Sequence, residues 1–203
     1  MDSNFDQITN WLGSGAINIF GRPFAGKDTQ GQVLSKLLNG ELISGGDILR
    51  SYPDQEKIKQ LMSTGDLFPT DFYLEIVLPY LSRDEYRGKP LILSSIGRLK
   101  GEESTILKAC RESDHPLKAV ILLDLSEEEV WRRFDAAKKL NDRGERADDT
   151  HEALENRLQK FNQQTLPVIE AYRNNNLLIT VDGSRHRDEV TENIVESLIK
   201  HFS

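Results

Sequence analysis

The chain has 203 residues, which at roughly 150 residues per domain favours one sizeable domain with small additions over two separate ones. A domain of this size buries about 70% of the surface its unfolded chain exposes, so it needs neither disulfides nor a structural metal, and the lone Cys110 excludes a disulfide framework or a multi-cysteine zinc site. The 26 basic against 33 acidic side chains give a net charge of −7, which argues against nucleic acid or an anionic membrane as partner and leaves room for an anionic small molecule met by a local arginine cluster.

No apolar run approaches the ~20 residues that span a bilayer. Residues 1–11 carry two aspartates and no basic segment, so a soluble cytoplasmic protein without a signal peptide is expected. In residues 1–15, Phe5, Ile8, Trp11 and Leu12 share one face and predict an extra helix ahead of the first strand. Runs that are apolar throughout then recur at AINIF (16–20), ELI (41–43), PLILS (90–94), KAVILLD (118–124) and LLITVD (177–182). Strands without polar alternation suit a parallel sheet covered by helices on both faces. After Lys27, the residues Val33, Leu34, Leu37 and Leu38 form a helical apolar face that Asn39-Gly40 stops. Ser126 with Glu129 reads as a capping box, and Asp149 with Glu152 repeats it before a long helix toward Tyr172. The expected architecture is a three-layer α/β/α fold on a five-stranded parallel sheet.

Directly after the first strand comes Gly21-Arg22-Pro23-Phe24-Ala25-Gly26-Lys27-Asp28-Thr29, followed by a helix. Two glycines five apart with lysine next have the spacing of a phosphate-binding loop, although the hydroxyl of Thr29 comes one residue later than in the commonest form. In such a loop, backbone N–H groups turn inward around a polyphosphate. The helix N-terminus adds its positive end, and Lys27 adds a full charge.

This stretch, GRPFAGKDTQ (21–30), resembles the G-x-P-G-x-G-K-G-T-Q loop of adenylate kinases and related nucleoside monophosphate kinases. The resemblance continues in order through ISGGDILR (43–50), GDLFP (65–69), SSIGR (94–98), RADDTHEALENRLQKF (146–161) and TLPVIEAYRNNNLLITVDG (165–183). It implies a monomeric P-loop kinase domain over residues 1–203, with an N-terminal extension of about 1–15, a monophosphate-binding insertion of about 44–74 and a short lid of about 137–147. It further implies transfer of the γ-phosphoryl group of magnesium-bound ATP to AMP, with GMP, UMP or CMP as alternative acceptors, or a binding protein with little activity. By resemblance, Lys27, Arg98, Arg146 and Arg157 are the catalytic cations. ATP is then met by Gly21, Arg22, Pro23, Phe24, Ala25, Gly26, Lys27, Asp28 and Thr29 together with Lys139, Arg143 and Gly183, Lys139 and Arg143 competing for one lid role. The acceptor is met by Gly45, Arg50, Asp66, Leu67, Phe68, Ser95, Ile96, Gly97 and Glu102, with Arg98, Arg146 and Arg157.

Three departures stand out. Ser94 occupies the strand-end position where the family has an aspartate that organises magnesium. Asp28 stands where the family has glycine, and two readings are open: it replaces the missing carboxylate as an outer ligand of magnesium held by Thr29, or it points away and favours the helix N-terminus. Gly45 replaces a threonine, and Glu102 falls near the glutamine that reads adenine. A carboxylate there accepts hydrogen bonds only, unless the register shifts and Glu102 or Glu103 is solvated. His115, His151, His186 and His201 have no ligand spacing and are expected at the surface, and Cys110 is expected to be inert.

Overall fold

The computed structural model describes residues 2–54, 56, 58, 59, 63–140 and 150–203. Arg143, Arg146 and Asp149, and with them most of the expected lid, lie outside the described residues. The five apolar runs form β1 (Ala16–Gly21), β2 (Glu41–Ser44), β3 (Leu91–Ser94), β4 (Leu117–Asp124) and β5 (Leu178–Asp182), each within a residue of its expected bounds. They make one parallel sheet in the order β2-β3-β1-β4-β5. Every residue of β1 and β3 is buried, which is why their sequences show no polar alternation, whereas the edge strand β5 alternates between buried Ile179 and Val181 and exposed Thr180 and Asp182.

The helices are α1 (Asp2–Leu12), α2 (Lys27–Leu37), α3 (Gly45–Arg50), α4 (Thr70–Leu81), α5 (Glu102–Glu112), α6 (Glu127–Leu140), α7 (His151–Lys160), α8 (Leu166–Asn174) and α9 (Arg187–Phe202). Alternate residues of β1 and β4 feed two apolar cores: Phe20, Val120 and Leu122 pack with α4, α5 and α8, while Ile17, Ile19, Ile121 and Leu123 pack with α1, α2, α6 and α9. Within α1, Ile8 and Leu12 are fully buried, and the Trp11 ring stacks on Phe202 of α9 at 4.8 Å. No described helix is long and apolar enough to cross a membrane. The chain leaves β1 toward the β2 edge and leaves its neighbour β3 toward β4, so the two loops diverge and open a crevice at the strands' C-terminal ends.

Several local expectations change. Along α2 and its C-terminal cap, Leu34 and Leu38 are buried but Leu37 is 40% exposed, so the apolar face is narrower than its leucines suggest. Asn39 does stop the helix in a left-handed conformation, with Gly40 N–H bonded to the Ser35 carbonyl at 2.8 Å. Ser126 Oγ accepts from Glu129 N–H at 3.2 Å, but the reciprocal half of that capping box is missing because the Glu129 carboxylate turns to Arg132 and Arg133. Those guanidiniums, Arg132 foremost, hold its carboxyl down at about 2. The residue that caps α7 is Thr150, whose hydroxyl accepts from Ala153 N–H at 3.1 Å, so Glu152 is not the partner the pattern suggested. A π-helical turn, Phe161–Thr165, separates α7 from α8 just before Pro167, which has no N–H to offer the preceding turn. His115 is buried rather than at the surface, its ring donating from Nδ1 to the Ser14 carbonyl at 2.6 Å. Burial pushes the Cys110 thiol up to about 12, leaving it inert.

Candidate active site

A cavity of about 400 Å³ opens at the C-terminal ends of the central strands. The β1–α2 loop and the start of α2 supply its floor, with Phe24, Gly26, Lys27, Asp28 and Thr29. Ser44 and α3 supply one wall with Gly46, Leu49 and Arg50, and the chain ahead of α4 adds Gly65, Asp66 and Phe68. The turn after β3 brings Ser94, Ser95 and Arg98, and α7 brings Arg157. Gly21, Pro23 and Leu67 line a smaller cavity that shares Lys27, Arg98 and Arg157 with the first and adds Lys160. Four cations from four separate segments therefore face one space that holds two carboxylates, Asp28 and Asp66. A chain of net charge −7 thus concentrates positive charge at this point.

The floor owes its shape to the loop's attachments. Phe24 takes a left-handed φ of 62°, costly for a bulky residue. Its ring packs edge-on against Phe134 of α6 at 5.6 Å, and its carbonyl accepts from Arg133 at 3.2 Å, which offsets that cost. Lys27 Nζ reaches back to the Arg22 carbonyl at 2.9 Å, across the mouth of the loop. The Arg22 side chain turns the other way: it lies over the Phe161 ring, donates to the Leu125 carbonyl at 3.0 Å and pairs with Asp124, so it ties the loop down rather than facing the cavity. Asp28, in the first turn of α2, faces inward, and its Oδ1 accepts from Ser94 Oγ at 2.7 Å. Orientation away from the site is thereby excluded.

Arg98 is positioned by its backbone. The fully buried Asn18 of β1 donates to the Ile96 carbonyl at 2.8 Å and accepts from Ile96 N–H at 3.3 Å, and Ser95, at a φ of 54°, donates its N–H to the Ile19 carbonyl. Glu102, 2% exposed at the start of α5, then accepts both the Arg98 N–H at 2.7 Å and the Leu99 N–H at 2.9 Å. Thr165 of the π turn donates to the Arg98 carbonyl at 3.3 Å. Glu102 is thus neither solvated nor among the residues lining the cavity; it clamps the Arg98 turn. Gly45 opens α3 against the Tyr73 hydroxyl, where a β-carbon would come within 2.6 Å of it. Burial pushes that phenol up to about 12, with Arg98 pulling it down, so it stays protonated and donates to the Ser95 carbonyl at 3.4 Å.

Other expected residues lie apart from this space. Ile96 is fully buried, Gly97 packs against Ile106, and Ala25 is buried within the loop. Lys139 is exposed in the last turn of α6. Gly183 follows β5, and its carbonyl accepts from Arg133 at 2.8 Å. Arg133, absent from the sequence expectations, joins the β1–α2 loop to the loop after β5 through Phe24 and Gly183. Asn18 was likewise missed, and only its polar side chain inside an apolar strand run hinted at it.

Residues 19–177 match the family model described as adenylate kinase. The chain is 32% identical to an adenylate kinase from Methanocella arvoryzae, over 90% of this chain and 97% of that protein. It is 31% identical to one from Thermus thermophilus, over 90% and 96% of the two chains, and 32% identical to one from Xylella fastidiosa, over 89% and 97%.

Proposed function

Because the chain belongs to the adenylate kinase family and is a phosphotransferase with a phosphate group as acceptor, we propose that it converts ATP and AMP into two ADP. The observation that carries this reading is the convergence of Lys27, Arg50, Arg98 and Arg157 on one cavity beside the phosphate loop. A monophosphate with a second pKa of about 6 is largely a dianion at pH 7. Its oxygen forms the bond to the γ-phosphorus as the bond from that phosphorus to the β–γ bridging oxygen breaks, and no side chain has to remove a proton. The chain's task is therefore positioning and charge neutralisation.

The N–H groups of the β1–α2 loop and the start of α2 cradle the ATP phosphates, and Lys27 and Arg157 bear on the transferring group. Arg50 and Arg98 hold the acceptor's phosphate. The segment of about residues 44–74 is the acceptor-binding insertion, and Arg146, Lys139 or Arg143, and Gly183 keep the roles the resemblance implies. Magnesium bound with ATP would supply neutralisation of phosphate charge at this site. Among the described residues no group of three or more His, Cys, Asp and Glu forms a metal cage, while the hydroxyl of Thr29 and the carboxylate of Asp28 are hard oxygen donors, the set that suits magnesium shared with substrate phosphates. The protein acts as a cytoplasmic monomer on free nucleotides, with neither nucleic acid nor a membrane as partner.

The close approach of Gly45 to Tyr73 and the use of Glu102 on the backbone favour a second reading of the acceptor base, in which another monophosphate replaces AMP. An assay of ADP formation from ATP with AMP, GMP, CMP or UMP tests both readings. Turnover with AMP is expected, and Lys27→Ala should lower kcat by about a hundredfold or more. No turnover with AMP alongside good turnover of another base replaces the acceptor; no turnover with any of them overturns the transfer reaction.

A further inference from the structure

Asp28 poses a physical problem: a carboxylate on the floor of a cavity proposed to take phosphates opposes the ligand that Lys27 attracts. Neither its orientation nor its partner relieves this, because it points inward and Ser94 gives it one hydroxyl hydrogen bond without neutralising it. Ser94 is 3% exposed at the end of β3, paired in register with Ile19 of β1, so that hydroxyl is a fixed point and Asp28 is fixed through it. A carboxylate held beside Thr29 in this way becomes favourable when a divalent cation accompanies the phosphates, since oxygen donors of this kind are what magnesium takes.

We propose that Asp28 is the carboxylate through which this site requires ATP as its metal complex, with Ser94 as the residue that positions it. The carboxylate rises from the first turn of α2 rather than from the strand end, and the 2.7 Å contact means that a carboxylate at position 94 would reach the same space. The inference rests on the reading of this cavity as the ATP site.

Equilibrium binding separates the two claims. Calorimetric titration of the full chain with ATP in EDTA and with ATP in excess magnesium gives the metal coupling as a ratio of dissociation constants. Coupling is reciprocal, so the ratio of the Mn2+ affinity of protein-bound ATP to that of free ATP, read by electron paramagnetic resonance, must give the matching factor for manganese-ATP. The wild type should show coupling of about tenfold or more. Asp28→Asn, whose amide oxygen can still accept from Ser94, should bind metal-free ATP more tightly than the wild type and magnesium-ATP more weakly, bringing the ratio close to one. The exchange Asp28→Gly with Ser94→Asp should restore it. Unchanged coupling in Asp28→Asn overturns the assignment and leaves the ATP site standing, as does an exchange variant that binds ATP without regaining coupling. A wild type that binds ATP under neither condition removes the site reading and this inference together.

Discussion

The floor of the cavity and its acceptor-side wall are held by different kinds of force. The floor is tied to buried structure: the Phe24 ring sits on Phe134, Arg133 binds the Phe24 and Gly183 carbonyls, and Asp28 is bonded to a buried serine. The wall at residues 64–66 rests on α7 through half-exposed polar groups. Asn156 donates to the Thr64 carbonyl at 2.6 Å and to Asp66 at 3.2 Å, and Lys160 pairs with Asp66 at 3.1 Å. Exposed polar bonds open at lower free energy than buried packing. The cavity thus combines a deeply anchored floor with a wall held by weaker bonds, and if that wall is the acceptor side proposed above, perturbing each should give different kinetic signatures.

The largest effect is expected at Glu102, which holds the turn carrying Arg98, a residue that lines both cavities. Glu102→Ala leaves the Arg98 and Leu99 N–H groups without their acceptor in a closed space, which should cost about 3 kcal/mol of stability. It should also lower kcat by roughly a hundredfold through displacement of Arg98. Denaturant unfolding and steady-state rates check both. Glu102→Gln keeps an acceptor oxygen and should recover most of each loss; a Gln variant as slow as the Ala variant would mean that the charge, and not the clamp, matters.

That clamp also marks the limit of what the sequence discloses. The five strands, the glycine-bounded loop after β1 and the meeting of Lys27, Arg50, Arg98 and Arg157 at one cavity were legible because each is a local pattern: an uninterrupted apolar run, a glycine spacing, a cation inside a motif. Asn18 gripping Ile96 across 78 positions is not local, and neither is Arg133 reaching Phe24 across 109. Sequence resemblance put Glu102 at a base-reading position, but its place at the first turn of α5 lets its carboxylate curl back onto the preceding amides, an outcome that depends on how the turn is bent. The cap of α7 is Thr150, one residue after the Asp149 that the pattern suggested, because its hydroxyl reaches the Ala153 N–H.

On the acceptor side, Gly65 should be the most sensitive position. Its φ is 73°, and a β-carbon there would meet the Ala153 carbonyl oxygen at 2.5 Å. Gly65→Ala is therefore expected to cost about 1–2 kcal/mol. It should also raise the acceptor KM about tenfold, equivalent to 1.4 kcal/mol, with the KM for ATP unchanged. An equal rise in both constants would contradict the separation of wall from floor.

Asp66→Asn should act on the same wall and do less. Hydrogen bonds from Asn156, Lys160 and Thr64, in that order, hold the Asp66 carboxyl below its usual value of 3.8. A depressed folded-state pKa contributes stability that is present above the unfolded value and is lost as pH falls through the folded one. The clasp should therefore stay constant from pH 5 to 8 and loosen only below about pH 4. Because the pair is 36% and 41% exposed, solvent screens it, and losing the charge should raise the acceptor KM by only about twofold, less in high salt. Measuring that KM for both variants at two salt concentrations separates the contributions. If Gly65→Ala raises it in a salt-independent way while Asp66→Asn barely moves it, backbone fit holds the wall to α7, and the charged clasp only tunes that hold.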